Sequence, residues 1–217
     1  MARKKATARS TERHAFGITV LKAADHRVRR LKQEHEPSIH GNKVWTSSWA
    51  VIDYLEYQGL PTSARVMEVG CGWGLAGIYC ARRHGARVVG VDADEAVFPY
   101  LHLHAEINGV EVETRCRRFE ELTTDDLAGL DVLIGADICF WDEMTEPVYQ
   151  LVREAVHQGV QQVIVADPGR PPFTRMSERC VAELDAEVKE WEVDTPVRAS
   201  AYLMIVGSLP QPRRRKG

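Results

Sequence analysis

Three glycines, Gly70, Gly72 and Gly74, alternate with other residues directly after the short apolar run at 66–69. An apolar run of this length is typical of a buried strand, and glycines in the turn behind it leave room for a ligand beside the backbone. A helical spacing of apolar residues begins at Gly74, so unpaired N–H groups and the positive end of a helix dipole face the turn. The pattern predicts a site for a nucleotide-like ligand.

Two carboxylates accompany this turn. Glu68 lies two residues before Gly70, and Asp92 ends a second apolar run about 20 residues after Gly72. A carboxylate at the position of Asp92 can accept hydrogen bonds from both hydroxyls of a ribose, although an acid there can instead cap the next helix. The range 72–77 also fits G-x-G-x-x-G, the pattern of a nicotinamide dinucleotide site, so the residues alone leave two cofactor classes open.

Strands alternate with helices from Val66 onward, which indicates an α/β domain with a parallel sheet and helices on both faces. The length of 217 residues and the hydrophobic content of 44% suffice for one core. Strands are expected at 66–69, 86–91, 112–117, 131–136, 161–166, 191–193 and 202–206, and helices at 74–84, 96–108, 125–127, 144–157 and 171–189. The last two strands have no full helix between them, which indicates an antiparallel hairpin at one edge of the sheet.

Acidic and aromatic residues follow the predicted strands at the ends where ligands bind in an open parallel sheet. Besides Glu68 and Asp92, Phe119 follows the third strand, Asp137 the fourth and Asp167 the fifth. Four carboxylates at one edge exceed what a core needs, so we expect this edge to be the binding edge. The alternative roles are a cap of the following helix for Asp137 and a core position for Phe119.

The chain is expected to have four parts: a disordered basic tail at 1–13, an N-terminal helical extension that contacts the site at 14–60, a cofactor-binding domain at 61–209 and a second basic tail at 210–217. Within the extension, one helix is expected over 20–32. Another helix is expected to begin after Ser47 or Ser48, either of which can cap it.

Charge is spread unevenly along the chain. The net charge is −3, yet each tail carries +4, which leaves −11 on residues 14–209. An acidic body favours a basic partner surface, and the tails leave contact with nucleic acid open, although solvated tails are the simpler interpretation. No apolar stretch approaches the roughly 20 residues of a membrane span, so we expect a cytoplasmic protein without a membrane partner. The cysteines and histidines show no metal-site spacing, and no metal is expected.

The motif E-x-G-x-G-x-G at 68–74, followed by Asp92, resembles the first motif of the class I (seven-β-strand) S-adenosylmethionine-dependent methyltransferases. The resemblance implies an α/β, Rossmann-like fold with a mostly parallel seven-stranded sheet, an antiparallel edge strand and helices on both faces. It also implies an enzyme of the methyltransferase class that uses S-adenosyl-L-methionine as its cofactor. The residues that the resemblance places against the cofactor are Trp45, Glu68, Gly70, Gly72, Gly74, Asp92, Ala93, Phe119 and Ala136.

The run D-I-C-F at 137–140 resembles the D-x-x-Y/F motif of the protein-lysine methyltransferases of this fold, which include those of the electron-transfer-flavoprotein β-subunit. The segment around Trp45 and the loop at 167–170 are similar to the same group. The resemblance implies a protein lysine as the acceptor and Asp137 as the catalytic residue, which accepts a hydrogen bond from the amine. It places Phe140, Trp141 and Asp167 on the substrate side, where an aromatic wall would attract the cationic chain and favour its neutral amine.

Other functions stay open on the sequence. The same scaffold serves methyltransferases that act on small-molecule or arginine nucleophiles. A nicotinamide-dependent oxidoreductase fits the range 72–77 and Asp92, but no Tyr-x-x-x-Lys pair accompanies them. A module that binds the cofactor without catalysis, recruited through its basic tails, is the third alternative.

Overall fold

A seven-stranded sheet with helices on both faces forms the centre of the molecule. The computed structural model describes residues 10–37, 41 and 43–209. Its elements, in chain order, are β1 (Glu12–Ala15), β2 (Ile18–Leu21), α1 (His26–Glu34), α2 (Ser47–Gln58), β3 (Arg65–Val69), α3 (Leu75–His84), β4 (Arg87–Asp92), α4 (Phe98–Asn108), β5 (Glu113–Cys116), α5 (Thr124–Leu127), β6 (Val132–Ala136), α6 (Thr145–His157), β7 (Gln162–Asp167), α7 (Pro171–Leu184), β8 (Glu187–Val193) and β9 (Ala199–Gly207).

The strand order of the sheet is β5-β4-β3-β6-β7-β9-β8. The strands from β5 to β7 run parallel, and β9 pairs antiparallel with both β7 and β8. The predicted α/β fold, with a mostly parallel seven-stranded sheet and an antiparallel hairpin at one edge, is therefore confirmed. The chain builds the sheet outward from β3 in one direction and resumes on the other side at β6, so a crevice opens at the carboxyl ends of these two strands.

Alternate residues of β3 point into the two halves of the core, because successive side chains of a strand face opposite sides of the sheet. Val66 packs in the half that contains α2 and α3, and Met67 packs in the half that contains α6 and α7. Both side chains are fully buried, as expected for a strand that helices cover on both faces. This packing fixes the carboxyl end of β3, where the glycine turn begins.

The N-terminal extension contains a hairpin where the sequence predicts a helix. Val20 and Leu21 lie in β2, which pairs antiparallel with β1, so the helix predicted over 20–32 is wrong in its first part. The side-chain amide of Asn108 on α4 accepts a hydrogen bond from the N–H of Thr19 (2.7 Å) and donates one to its carbonyl oxygen (2.9 Å). A partner 89 residues away in sequence thus stabilises β2, and no local pattern reveals it.

The predicted tails lie mostly outside the described residues. Glu12 and Arg13, which were expected in the disordered tail, belong to β1. Residues 1–9 of that tail and the whole second tail, 210–217, are not among the described residues. The predicted tail at 1–13 is therefore wrong for its last two residues, because they pair with Val20 and Leu21 of β2.

The hairpin at the sheet edge is longer than predicted. The helix α7 ends at Leu184, because Asp185 has a left-handed φ of 56°, so the helix predicted to 189 is too long. The range 187–193 forms β8 and pairs with β9 along its whole length. Strand pairing outweighs the local helical pattern here, since β9 pairs with every residue of this range.

Candidate active site

The turn between β3 and α3 leaves its backbone open to the crevice. Gly70, Gly72 and Gly74 have φ values between 50° and 70°, a region that favours glycine. A Cβ on Gly70 would lie 2.5 Å from Cγ2 of Ile138, so the ends of β3 and β6 meet with no room for a side chain. A Cβ on Gly72 would meet no atom within 4 Å. The backbone at Gly72 therefore faces open space.

Glu68 is buried beneath this turn. Its Oε2 accepts a hydrogen bond from the N–H of Gly77 (2.8 Å), and its Oε1 accepts one from the N–H of Ala76 (3.3 Å). Burial raises the pKa of Glu68 to about 7, against the lowering effect of these two N–H groups. Glu68 thus holds the first turn of α3 in place. It also lines a smaller cavity beside the glycine turn, together with Gly74.

Asp92 connects the end of β4 to the glycine turn. Its Oδ2 accepts a hydrogen bond from the N–H of Gly72 (3.0 Å), and its Oδ1 accepts one from the N–H of Asp94 (3.1 Å). The helical turn that follows is capped by Asp94, whose side chain accepts from the N–H of Ala96, so the alternative role of Asp92 as a helix cap is wrong. Burial raises the pKa of Asp92 above its ordinary value.

A single cleft follows the carboxyl ends of β3, β4, β5 and β6. It brings together most of the residues that the sequence predicts for the site, namely Trp45, Gly70, Gly72, Asp92, Ala93, Phe119, Ala136, Asp137, Phe140 and Trp141. Glu68 and Gly74 lie in the adjoining cavity. Further lining residues that the sequence analysis did not select as site residues are Gly41, Arg118, Glu120, Ile138 and Met144.

Asp137 has a left-handed φ of 56° and a side chain that is only 3% exposed. Its Oδ2 accepts a hydrogen bond from the N–H of Ser47 (3.0 Å), and its Oδ1 accepts one from Nη1 of Arg170 (2.9 Å). Asp137 therefore caps α2 and not the helix after β6, so that alternative is wrong. The sequence predicts that the side chain of Ser47 or Ser48 caps α2. In the structure Ser47 is the first residue of α2, and the cap is the Asp137 carboxylate. Each carboxylate oxygen of Asp137 accepts one of these two hydrogen bonds and has the capacity to accept another.

Asp167 does not lie on the substrate side, which corrects the prediction. It is fully buried, and its Oδ1 accepts hydrogen bonds from the N–H groups of Gly169 (2.9 Å) and Arg170 (2.7 Å). Its Oδ2 pairs with Nη1 of Arg170 at 2.6 Å. Burial raises the pKa of Asp167, while the bonds and charge of Arg170 lower it. Asp167 therefore binds both the backbone and the side chain of Arg170, and it is not among the residues that line the cleft.

Aromatic side chains form the wall of the cleft next to Asp137. The ring of Trp45 meets the ring of Phe140 edge-on, with centroids 4.9 Å apart. Nζ of Lys43 lies 3.9 Å from the centroid of Trp45, and the guanidinium carbon of Arg170 lies 4.2 Å from the centroid of Phe140. Trp141 is 45% exposed. Sequence reasoning missed Lys43 and Arg170 as site residues, because nothing local distinguishes them from other cations of the surface.

The segment that carries most of these residues has known relatives. Residues 66–159 match a protein family described as a methyltransferase domain. Residues 66–159 are called the methyltransferase domain after the family that they match. It runs from β3 to the turn after α6, so it includes the glycine turn, Asp92 and Asp137. The hairpin, α2 and the loop with Arg170 lie outside it.

Curated relatives of the methyltransferase domain share its sequence over a limited length. The ubiquinone biosynthesis O-methyltransferase of Hahella chejuensis is 37% identical over 82 residues, which cover 38% of this chain and 34% of that protein. The protein of the same name from Neisseria meningitidis serogroup C is 35% identical over 83 residues, 38% of this chain and 35% of its own length. The chain thus spans about a third of the length of these relatives.

Solved structures share the fold at low sequence identity. The methyltransferase from Pyrococcus furiosus has a TM-score of 0.57 at 16% identity, covering 83% of this chain and 95% of its own. TrmN from Thermus thermophilus has a TM-score of 0.57 at 15% identity, with coverage of 75% and 48%. TrmK of M. capricolum, solved with S-adenosyl-homocysteine, has a TM-score of 0.54 at 10% identity, with coverage of 77% and 70%. The architecture around the methyltransferase domain is therefore the methyltransferase fold.

The described part of the chain contains neither a candidate metal site nor a candidate membrane span. Among residues 10–37, 41 and 43–209, no group of three or more His, Cys, Asp or Glu is placed to hold a metal ion. No helix within these ranges combines the length and the apolar character that crossing a bilayer requires.

Proposed function

We propose that the protein is an S-adenosylmethionine-dependent methyltransferase that acts on a small molecule with an oxygen or nitrogen nucleophile. The observation that carries this proposal is the cleft at the carboxyl ends of β3 and β6, where the glycine turn, Asp92 and Asp137 line one cavity. The methyltransferase domain at 66–159 supports the class of reaction.

The residues of the cleft fit the parts of S-adenosylmethionine. Asp92 keeps carboxylate lone pairs beside its bonds to Gly72 and Asp94, and these would accept the ribose hydroxyls. Ala93 and Phe119, which line the cleft after β4 and β5, would hold the adenine. The open backbone at Gly72 would hold the methionine end. When bound, the cofactor supplies an electrophilic methyl group on a sulfonium.

A dinucleotide cofactor is less well supported. In the dinucleotide-binding fold the sheet follows the order 3-2-1-4-5-6 and is mostly parallel. Here β9 runs antiparallel between β7 and β8. In addition, Glu68 places a buried carboxyl directly below the turn, where a pyrophosphate would add negative charge.

The residues of this chain promote transfer by positioning. Asp137 can accept a hydrogen bond from the O–H or N–H of an acceptor through its remaining lone pairs, which turns the acceptor's own lone pair away from the carboxylate. Phe140 and Trp141 provide an aromatic wall beside it that restricts the acceptor and excludes water. Holding a nucleophile in a reactive arrangement supplies much of the acceleration of such reactions.

Two observations support a small acceptor over a protein lysine. The relatives from Hahella and Neisseria are named as O-methyltransferases of ubiquinone biosynthesis. The ring of Phe140, to which the lysine hypothesis assigns a cationic side chain, already carries the guanidinium of Arg170 at 4.2 Å. The resemblance to the protein-lysine group thus stays a hypothesis, which the experiments below test as the alternative.

Calorimetric titration with S-adenosylhomocysteine and with NAD tests the cofactor. We expect the first to bind and the second not to bind. Asp92→Ala should weaken binding by at least about 10-fold, since hydrogen bonds to a charged group contribute about 1.5–3 kcal/mol. Asp131→Ala is the matched control, because Asp131 also accepts a main-chain N–H (Arg65, 2.8 Å) but precedes β6, at the opposite end of the sheet. Binding of NAD alone would overturn the proposal.

Methyl transfer from labelled S-adenosylmethionine tests the acceptor. Phenols, catechols and small amines are offered in one set of reactions, and lysine-containing peptides and a protein extract in another. We expect label only in the first set. Label confined to protein lysines would contradict the proposal of a small acceptor and support the lysine hypothesis. Label in neither set, with cofactor binding intact, would favour a module that binds the cofactor without catalysis.

A further inference from the structure

Arg170 joins the ends of two neighbouring strands. It lies at the start of α7, three residues after the end of β7, and its Nη1 reaches both Asp167 (2.6 Å) and Asp137 (2.9 Å). Its side chain is 23% exposed, whereas those of Asp167 and Asp137 are 0% and 3% exposed. One guanidinium therefore compensates two carboxylates that have almost no contact with water.

Asp167 fixes the direction from which Arg170 arrives. Its Oδ1 binds the N–H groups of Gly169 and Arg170, and its Oδ2 binds the guanidinium of Arg170. The main chain of Arg170 and its side chain are thus both held by one buried carboxylate. The N–H of Asp137 in turn donates to the carbonyl oxygen of Ala166 at 2.8 Å, so the backbones of Asp137 and Asp167 are in register across β6 and β7.

The same guanidinium also packs on the aromatic wall of the cleft. Its central carbon lies 4.2 Å from the ring centroid of Phe140 and 5.9 Å from that of Trp45. Asp137 and Phe140 both line the cleft. Arg170 is not among the residues that line the cleft, but it contacts the Asp137 carboxylate and the Phe140 ring, which do line it.

We propose that Arg170 is a positioning residue for methyl transfer, which holds the Asp137 carboxylate and the Phe140 ring in the arrangement that receives the acceptor. The inference rests on the proposed function, since it concerns the acceptor side of the same cleft. Arg170 acts through Asp137 and Phe140, and the cofactor side, formed by the glycine turn and Asp92, makes no bond to it.

Three variants test the proposal: Arg170→Gln, Arg170→Lys and, as a control, Arg179→Gln. Arg179 lies within α7, the helix that Arg170 precedes, and its ion pairs with Glu146 and Glu183 are on the exposed face of α6 and α7. For Arg170→Gln we expect kcat to fall by about 10- to 100-fold, as for other losses of catalytic geometry, with the affinity for S-adenosylhomocysteine unchanged. Arg170→Lys should recover much of kcat but show a raised KM, because an ammonium lacks the planar face that packs on Phe140.

Denaturant unfolding at pH 5 and pH 8 provides a readout that needs no activity. Without a cation beside it, the buried carboxylate of Asp167 favours protonation, because burial raises its pKa and Arg170 is the charged group that lowers it, so Arg170→Gln should lose stability as pH rises. The neighbouring thiol of Cys139 does not interfere, because burial raises its pKa and keeps it neutral. We expect the unfolding equilibrium constant of Arg170→Gln, divided by that of wild type, to be at least about 10-fold larger at pH 8 than at pH 5. Arg170→Lys and Arg179→Gln should show no such difference.

The outcomes separate this inference from the proposed function. If Arg170→Gln keeps the wild-type kcat, or loses equal stability at both pH values, Arg170 is not a positioning residue. If Arg170→Gln does not fold, a wild-type KM for Arg170→Lys overturns the proposal. If the wild-type protein does not bind S-adenosylhomocysteine, the proposed function fails, while the pH dependence still decides whether Arg170 holds the two carboxylates.

Discussion

At the scale of single residues, the carboxylates in the cleft and in the adjoining cavity also hold the surrounding backbone in place. Glu68, Asp92 and Asp137 each accept main-chain N–H groups that belong to the glycine turn or to a helix start. A substitution at any of them therefore changes both the local structure and the chemistry. Conservative variants, in which an amide replaces the carboxylate, separate these effects because they keep the size of the side chain and one oxygen acceptor.

Glu68 should make the stability of the protein depend on pH. Its pKa rises from 4.5 to about 7 in the folded state, so its contribution is fully present below pH 4.5 and is lost as pH rises through 7. The shift corresponds to about 3 kcal/mol. Denaturant unfolding should show that the stability of wild type relative to Glu68→Gln falls by this order between pH 5 and pH 8. A stability difference between wild type and Glu68→Gln that stays constant from pH 5 to pH 8 would contradict the assignment.

Asp137 should be required for transfer and not for cofactor binding. We expect Asp137→Asn to lower kcat by at least about 10-fold, since the amide loses the charge that pairs with Arg170 and orients the acceptor. Asparagine also tolerates the left-handed backbone of this position, so the variant should fold. Steady-state kinetics and calorimetry with S-adenosylhomocysteine check both statements. Asp142→Asn, five residues away and with a side chain that is 79% exposed, serves as the control. If Asp137→Asn loses affinity for S-adenosylhomocysteine while Asp142→Asn keeps it, the assignment of Asp137 to the acceptor side is wrong.

At the scale of elements, the sequence predicts well those elements whose determining residues lie close together in the chain. The unit of β3, glycine turn and α3 was predicted within a residue or two, because the apolar run, the glycines and the helical spacing lie within 20 consecutive residues. The hairpin of β1 and β2 was missed, since Asn108 is the partner of Thr19. The prediction that Asp167 contacts the substrate was wrong for a different reason. Arg170 is only three residues away, but its pairing with Asp167 depends on the path of the loop after β7.

The glycine turn should tolerate a side chain at Gly72 in the free protein but not with the cofactor bound. Gly72 and Gly85 have similar φ values of 50° and 64°, and a Cβ at either would meet no atom within 4 Å. Alanine at each position should cost about 1 kcal/mol or somewhat more from backbone strain. We expect only Gly72→Ala to weaken S-adenosylhomocysteine binding, by at least about 10-fold, since its methyl group would occupy the open space above the turn. Equal affinities of the two variants would show that the cofactor does not approach Gly72.

The N-terminal hairpin should loosen at acidic pH. His104 on α4 accepts a hydrogen bond from the N–H of Leu21 through Nε2 (3.1 Å), and its Nδ1 lies 2.7 Å from the carbonyl oxygen of Tyr100 and so carries the proton. Burial lowers the pKa of His104 below 6.5, so the stabilisation is present above pH 6.5 and is lost as pH falls through the folded pKa. Hydrogen exchange should show a lower protection factor for the Leu21 amide at pH 5 than at pH 7. The Val66 amide in the central strand should keep its protection.

At the scale of the whole molecule, the sheet order determines where the functional parts meet. The chain turns back after β5 and continues at β6, which brings Asp92 and Asp137 to one cleft although they are far apart in sequence. The alternation of strands and helices was enough to predict that these residues meet at one edge of the sheet. The sequence indicates the acceptor less well, because Trp45 and Arg170, which contribute to the aromatic wall beside Asp137, lie outside the methyltransferase domain at 66–159.

The second basic tail should be dispensable for cofactor binding and methyl transfer. Gly207, at the end of β9, pairs with Gln162 at the amino end of β7, whereas the cleft lies at the carboxyl ends of the parallel strands. The chain therefore leaves the sheet on the side opposite to the cleft. Removal of 210–217 takes away +4 of charge, which at physiological salt is screened over a distance of about 8 Å. We expect unchanged affinity for S-adenosylhomocysteine and unchanged kcat with a small acceptor. Loss of transfer with cofactor binding intact would instead indicate that the tail recruits the acceptor, as expected for a partner-directed module.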